Sequence, residues 1–162
     1  LPEEDVRSFL SNSLSVAAVN APSMCTVSGP TDAIETLQKQ LDDQEVDYRP
    51  LHTSHAFHSE MMEPMLASFT KRVQEVSRKP PQIPYISNVT GTWITSQEAT
   101  SPEYWAAHIR QTVRFSQGLQ ELLKEPNQVL LEVGPGKALS KLAKRHKPQV
   151  KSQIVWNFYL RL

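Results

Sequence analysis

The chain has 162 residues, is 39% hydrophobic, and carries 17 Lys and Arg against 17 Asp and Glu. That length is enough for one ordinary domain, or two small subdomains, with a real hydrophobic core. The formal net charge of zero gives no electrostatic case for a nucleic-acid or anionic-membrane partner. No window approaches the roughly 20 apolar residues that a membrane span needs.

The N-terminus and the cysteine content predict where the protein works. The first five residues are acidic and lack an apolar stretch, which argues against a signal peptide, and the missing initiator Met indicates a chain cut from something longer. The single cysteine, Cys25, cannot form an internal disulfide, which fits a reducing compartment. We therefore expect a cytoplasmic domain of the α/β or α+β class.

The first fifty residues alternate between short helices and strands. The pattern predicts a helix at 3–10, strands at 14–19 and 24–27, a helix from 31, and a strand at 46–49. Ile34, Leu37 and Leu41 form the apolar stripe of the second helix, and Asp32 and Glu35 at its start predict a capping box. This order matches a ferredoxin-like β-α-β-β-α-β unit without its first strand.

Residues 51–162 continue as a mixture of helices and strands after a loop rich in His. The pattern predicts helices at about 61–76, 102–111, 115–123 and 137–146, and strands at 83–87 and 129–133. The Gly-Pro-Gly turn at 134–136 separates the last strand from the last helix. Residues 154–162 are apolar without a pattern, and they suggest no function.

Three histidines in the loop at 51–60 are the first candidates for chemistry. His52, His55 and His58 are spaced three apart, which could chelate a metal, but a helix would turn the third away from the first two. No further Cys, Asp or Glu stands at a zinc-site spacing. The alternatives are a loop with structurally satisfied histidines, or a loop in which one His is the general base for a nucleophile from elsewhere.

No nucleophile is visible in the sequence. The chain has no Gly-x-Ser-x-Gly elbow, and Cys25 lies in a predicted buried strand, which favours a core residue over a reactive thiol. The Gly-Pro-Gly turn could bind phosphate at a helix N-terminus, but it lacks the P-loop pattern, so a tight turn is the better interpretation. His108 follows a helical stripe, as packed histidines do.

Residues 55–59, His-Ala-Phe-His-Ser, resemble the signature of acyltransferase domains of modular type I polyketide synthases. Further blocks agree with that family in the same order along the chain. They are Ala-Val-Asn-Ala-Pro-Ser at 18–23, Val-Ser-Gly-Pro at 27–30, Pro-Tyr-Ile-Ser-Asn-Val-Thr-Gly-Thr-Trp at 84–93, Tyr-Trp at 104–105, Arg-Gln-Thr-Val-Arg-Phe at 110–115, and Leu-Glu-Val-Gly-Pro-Gly at 131–136. The resemblance covers about residues 14–145.

The resemblance implies ping-pong transfer of malonyl from coenzyme A to the phosphopantetheine thiol of an acyl carrier protein. A serine in a Gly-His-Ser-x-Gly elbow is the nucleophile of this family, and the resemblance makes His58 its general base. It places His108 close to the backbone carbonyl that orients the base. It assigns His55 and Phe57 to extender choice, because His-Ala-Phe-His is similar to malonyl-selective domains, whereas methylmalonyl-selective domains usually carry Tyr-Ala-Ser-His.

The family's serine, its oxyanion-hole Gln and its carboxylate-binding Arg all precede the part that this chain resembles. We therefore expect the C-terminal half of an acyltransferase domain, inactive by itself, with malonyl-CoA, an acyl carrier protein and neighbouring synthase domains as partners and with no metal or other cofactor. The expected organisation is an incomplete ferredoxin-like small subdomain (1–50), the C-terminal part of an α/β-hydrolase-like large subdomain (51–147) and a tail of unknown role (148–162). The alternative is a non-catalytic interaction or scaffold fragment derived from the same fold.

Overall fold

The computed structural model describes residues 1–125, 129–146 and 155–158. The helices and strands alternate in a mixed α/β arrangement. In chain order they are α1 (Glu3–Phe9), β1 (Ser15–Ala21), β2 (Met24–Ser28), α2 (Thr31–Asp43), a 3₁₀ turn (Glu60–Met62), α3 (Glu63–Gln74), α4 (Ser96–Thr100), α5 (Pro102–Arg110), α6 (Phe115–Leu122), β3 (Leu130–Val133), α7 (Ala138–Ala143), a 3₁₀ turn (Lys144–His146) and β4 (Val155–Phe158).

The core of the described chain is centred on β1. This strand pairs antiparallel with β2, and its residues Val16, Val19 and Ala21 are at most 5% exposed. Helices α1 and α6 both pack against β1. Burial of such aliphatic side chains is the main favourable contribution to folding. The strand nearest the N-terminus therefore contacts α6, a helix from the second half of the chain.

A short segment between α5 and α6 extends the pairing of β1 on its other edge. The amide of Val113 donates to the carbonyl of Ala17 at 2.8 Å, and the amide of Val19 donates to the carbonyl of Val113 at 2.9 Å. Val113 thus forms a parallel bridge with Ala18. This contact joins residues that are about a hundred positions apart in sequence, and it fixes the segment next to His58.

Helices α3, α4 and α5 pack against one another as a group. Helix α3 packs along α5, and α4, which directly precedes α5 in sequence, also packs against α5. Thr95 and Glu98 make a complete capping box at the start of α4, a helix that the periodicity did not predict. Ser101 caps α5, accepting from the amide of Tyr104.

Strands β3 and β4 form a second, parallel pair near the C-terminal end. Leu130 stands opposite Val155, and Val133 stands opposite Phe158, so residues 155–158 are a strand that the sequence pattern did not reveal. The side chains of Leu131 and Val133 are 56% and 66% exposed. No helix in the described residues is long and apolar enough to cross a membrane.

Three local predictions are wrong. Residues 46–49 form no strand, and the Tyr48 hydroxyl donates instead to Asp42 at the end of α2. Residues 83–87 form no strand either, apart from one bridge between Ile86 and Trp93. The capping box at Asp32 is absent, because Pro30 occupies the N-cap of α2 and gives no side-chain bond. The remaining predicted helices and strands are present within a few residues of their expected bounds.

Candidate active site

The loop before α3 holds His58 in a constrained backbone conformation. His58 has φ of +61°, a region that residues with a Cβ rarely adopt and that recurs at functional sites. Its amide donates to the carbonyl of Ile109 at 3.1 Å. The next residue, Ser59, is fully buried, donates to the Ala56 carbonyl at 2.6 Å and accepts from the amide of Met61. Hydrogen bonds therefore restrain the backbone before and after His58.

The imidazole of His58 is oriented by a backbone carbonyl. Its Nδ1 lies 2.9 Å from the carbonyl oxygen of Gln111, which can only accept, so Nδ1 carries the proton in the neutral ring. Within the described residues, Nε2 has no hydrogen-bond partner. This is the arrangement of a His that is ready to accept a proton at Nε2.

The surroundings favour the neutral, basic form of His58. Burial lowers its pKa below the usual 6.5, because a charged ring is poorly solvated there. The hydrogen bond to the Gln111 carbonyl opposes this shift, and the nearby charge of His108 adds to it. A base with a lowered pKa is unprotonated at neutral pH and can act without first losing a proton.

His58 lines a cavity of about 330 Å³ between the β1 layer and the end of α5. The wall contains Arg7, Leu10, Leu14, Ser15, Val16, Val89, Arg110, Gln111, Thr112 and Arg114. Two of its arginines, Arg7 and Arg114, share the carboxylate of Glu3 at 2.6 and 2.7 Å. The third, Arg110, binds Glu63 at 2.6 Å and so ties α5 to the start of α3.

The other residues expected at the site lie around His58 rather than in contact with its ring nitrogens. His55 and Phe57 are exposed, with ring centroids 5.8 Å apart, and His55 Nδ1 lies 3.0 Å from the hydroxyl of Ser54. The ring of His108 packs near Tyr104 and Trp105, with centroids at 6.3 and 6.0 Å. The carbonyl that orients His58 belongs to Gln111, three positions beyond His108.

The metal and phosphate alternatives concern the His loop and the Gly-Pro-Gly turn. No group of three or more His, Cys, Asp or Glu side chains in the described residues is arranged to hold a metal ion. At the Gly-Pro-Gly turn, Glu132 already accepts from the amides of Leu139 and Ser140 in the first turn of α7. The hydrogen bond from the Ser140 hydroxyl is the main reason why the pKa of Glu132 is lowered. The turn is therefore a structural strand-to-helix connection.

Gln111 and Thr112 are site residues that sequence reasoning did not single out. Gln111 acts through its backbone carbonyl, so the identity of its side chain gave no signal. Thr112 lies beside it in the cavity wall. The one available clue was their position inside the block at 110–115.

Comparisons with known proteins agree on one family. Residues 2–154 match the family described as "Acyl transferase domain". The chain is 36% identical over 146 residues to a component of the phenolphthiocerol/phthiocerol polyketide synthase of Mycobacterium tuberculosis (strain CDC 1551 / Oshkosh), covering 90% of this chain and 10% of that protein. It is 40% identical over 126 residues to "Polyketide synthase GfsB" of Streptomyces halstedii, covering 77% of this chain and 2% of that protein.

A solved structure of the same kind has the same fold. The acyl transferase domain of SpnD, in complex with 2-(pent-4-yn-1-yl)malonyl, is 38% identical and superposes with a TM-score of 0.90. The match covers 96% of this chain and 38% of that one. The chain thus spans about a tenth of the mycobacterial protein and under two fifths of the SpnD domain chain. It belongs to the acyl transferase domain family, and its relatives are components of polyketide synthases.

Proposed function

We propose that this chain is part of a domain that transfers a malonyl extender unit from coenzyme A to the phosphopantetheine thiol of an acyl carrier protein. The observation that carries the proposal is the 2.9 Å contact between His58 Nδ1 and the Gln111 carbonyl, which leaves Nε2 as the basic nitrogen. Membership of the acyl transferase family supplies the reaction class. Neighbouring synthase domains would deliver the carrier protein.

In the proposed reaction, His58 Nε2 moves a proton in each half-cycle. It takes the proton of the nucleophilic serine as the serine oxygen attacks the malonyl thioester, and it gives that proton to the departing coenzyme A thiol. The product is a malonyl-serine ester. His58 then takes the proton of the carrier thiol, which attacks the ester, and returns it to the serine oxygen. Each thiol is thus exchanged for the other with no net oxidation or reduction.

The serine of this scheme lies outside residues 1–162, because the chain contains no Gly-x-Ser-x-Gly elbow. This chain would contribute the base, the carbonyl that orients it and one wall of the cavity. We further propose the division into a ferredoxin-like small subdomain (1–50) and the C-terminal part of an α/β-hydrolase-like large subdomain (51–147). Residues 148–162 would follow as a tail.

The proposed selectivity for malonyl rests on Phe57 and His55. In methylmalonyl-selective relatives, the matching positions are usually Ser and Tyr. A Phe ring is larger than a Ser side chain and would leave less room at the malonyl α-carbon. Phe57 is 46% exposed and packs near His55, so bound substrate could cover a ring that the protein leaves open.

A second candidate function is a non-catalytic interaction or scaffold fragment of the same fold. The observation that favours it is again the missing serine elbow. The exposed side chains of Leu131 and Val133 on β3 would then belong to a binding surface.

A chimera separates the two candidates. Residues 1–162 replace the matching segment of the SpnD acyl transferase domain, which supplies the remainder of the fold. Labelled malonyl-CoA and an acyl carrier protein are then added to the chimera and to the isolated chain. We expect transfer by the chimera and none by the isolated chain. A chimera that unfolds cooperatively but transfers no acyl group would favour the scaffold function, and transfer by the isolated chain would contradict the role of an external serine.

A further inference from the structure

The carbonyl that orients His58 lies at an abrupt change of backbone direction. Gln111 ends α5, with its amide bonded to the Ala107 carbonyl at 2.7 Å and its own backbone already extended (ψ of 160°). Its carbonyl therefore leaves the helical direction and points to His58. A carbonyl at a helix end has no ladder of bonds to fix it, so something else must set its orientation.

The hydroxyl of Thr112 provides such a restraint. Thr112 Oγ1 donates to the carbonyl of Val16 at 2.7 Å, a bond between residues 96 positions apart. Val16 is 2% exposed and lies in β1, the strand at the centre of the core. The partner of Thr112 is consequently one of the most deeply buried parts of the described chain.

The geometry of the peptide group links this hydroxyl to the imidazole. The Gln111 carbonyl lies in the peptide plane that joins residues 111 and 112. Turning that plane requires a change in φ of Thr112. Thr112 is held on one side by its hydroxyl bond, and on the other by the pairing of Val113 with Ala17 and Val19. Without the Thr112 hydroxyl bond, only the backbone pairing of Val113 with β1 would resist rotation of the 111–112 peptide plane.

We propose that Thr112 is a positioning residue for His58: its bond to Val16 holds the 111–112 peptide plane so that the Gln111 carbonyl meets Nδ1. The proton is thereby kept on Nδ1, and Nε2 remains the basic nitrogen. The inference rests on the proposed function only for the use made of Nε2. The chain of contacts from β1 through Thr112 and Gln111 to His58 exists whether or not acyl transfer occurs.

The proposal predicts two linked changes when the hydroxyl is removed. The fraction of neutral His58 with its proton on Nδ1 falls, because the carbonyl no longer lies in line with that nitrogen. The pKa of His58 also falls, because the Gln111 contact is the influence that raises it against burial. A role of Thr112 in stability alone would move neither quantity.

The test is histidine-selective ¹⁵N NMR of residues 1–162, which reports the tautomer and the titration of each imidazole. Thr112→Val keeps the shape and removes the hydroxyl, and Thr112→Ser restores it. Thr70→Val is the matched control, because the Thr70 hydroxyl donates at 2.8 Å to the Leu66 carbonyl within α3. Should Thr112→Val fail to fold, Thr112→Ala gives the same comparison without the extra methyl group.

We expect Thr112→Val to lower both the Nδ1–H fraction and the pKa of His58, with wild-type values for Thr112→Ser and Thr70→Val. The proposal is overturned if Thr112→Val leaves both unchanged, if Thr112→Ser shifts them equally, or if Thr70→Val does the same. None of these readouts requires transfer. If His58 responds to Thr112→Val in residues 1–162 but the chimera folds without acyltransferase activity, the proposed function alone is refuted. If His58 does not respond but the chimera is active, this inference alone is refuted.

Discussion

Phe57 and His58 are adjacent in sequence but lie in opposite surroundings. His58 is half-buried, its backbone is bonded to Ile109 and its ring to Gln111, more than fifty positions away. Phe57 is 46% exposed and packs near the ring of His55 on the same loop. The comparison indicates that the orientation of His58, the proposed base, depends on segments distant in sequence, whereas Phe57, the ring proposed to select the extender, depends on its own loop. Substitution of His58 should therefore abolish transfer, whereas substitution of Phe57 should change only the choice of extender.

The largest expected effect is that of His58→Ala in the chimera. Loss of a general base costs about 10²–10⁴-fold in rate, and more where the base and the nucleophile act as a unit. The measurement is the rate of malonyl transfer to the carrier protein. His52→Ala, an exposed His on the same loop, is the matched control and should transfer normally. Near-wild-type transfer by the His58 variant would show that His58 is not the general base.

A smaller effect is expected at the exposed position. Phe57→Ser should relax discrimination against methylmalonyl, by no more than about 1–3 kcal/mol, the scale of a single methyl group in a pocket. Competition between malonyl-CoA and methylmalonyl-CoA in the chimera measures the ratio. Leu51→Ser is the control, because Leu51 is another exposed apolar side chain near the loop. An unchanged ratio for the Phe57 variant would place extender choice elsewhere in the domain.

The smallest expected effect is that of Glu3→Gln on stability, since Glu3 pairs with Arg114 in the segment that carries Gln111. Glu3 binds both Arg7 and Arg114, so Glu3→Gln should lower the free energy of unfolding at pH 7. The ion pairs of Glu3 are partly exposed, so solvent screening limits the loss of unfolding free energy to about 1 kcal/mol. Urea unfolding measures it, with Glu4→Gln, an exposed neighbour, as the control. An equal loss in both variants would point to the helix terminus rather than to the arginines.

The pH dependence of that loss follows from the protonation of Glu3. Burial raises the pKa of Glu3, but the hydrogen bond from Arg7 and the charges of Arg114 and Arg7 outweigh it, so the pKa lies below 4.5. A carboxyl with a lowered pKa in the folded state stabilises the fold above its unfolded-state pKa. That stabilisation is lost as the pH falls through the folded-state value. The difference between wild type and Glu3→Gln should therefore vanish in acid, and a constant difference would contradict the ion pairs.

The helices were largely predictable because their apolar residues recur at helical spacing. Leu37 in α2 is buried as its stripe requires, and Ser101 caps α5 as its position before Pro102 indicates. Short apolar runs were less informative, since a strand also needs a partner. Ile83 is 80% exposed, and residues 83–87 contribute only the bridge at Ile86. Residues 155–158 do find a partner in β3, which no local pattern could reveal.

Only the residues of the candidate site that belong to a sequence motif could be predicted. His58 could be named from its motif, and its resemblance to a family gave it a role. The carbonyl of Gln111 and the hydroxyl of Thr112 could not be found in this way, because their hydrogen bonds join segments that are distant in sequence. The positive φ of His58 is likewise a property of the folded loop, which no residue type at that position demands.

The pH dependence of serine acylation in the chimera tests whether His58 is the general base. Because burial lowers the pKa of His58 and the base must be neutral, the single-turnover rate with malonyl-CoA should rise with pH and level off. The midpoint should lie below 6.5, the usual value for histidine, and His58→Ala should abolish the rise. A rate that does not change with pH, or a rise that persists in the variant, would contradict the assignment of His58 as the general base.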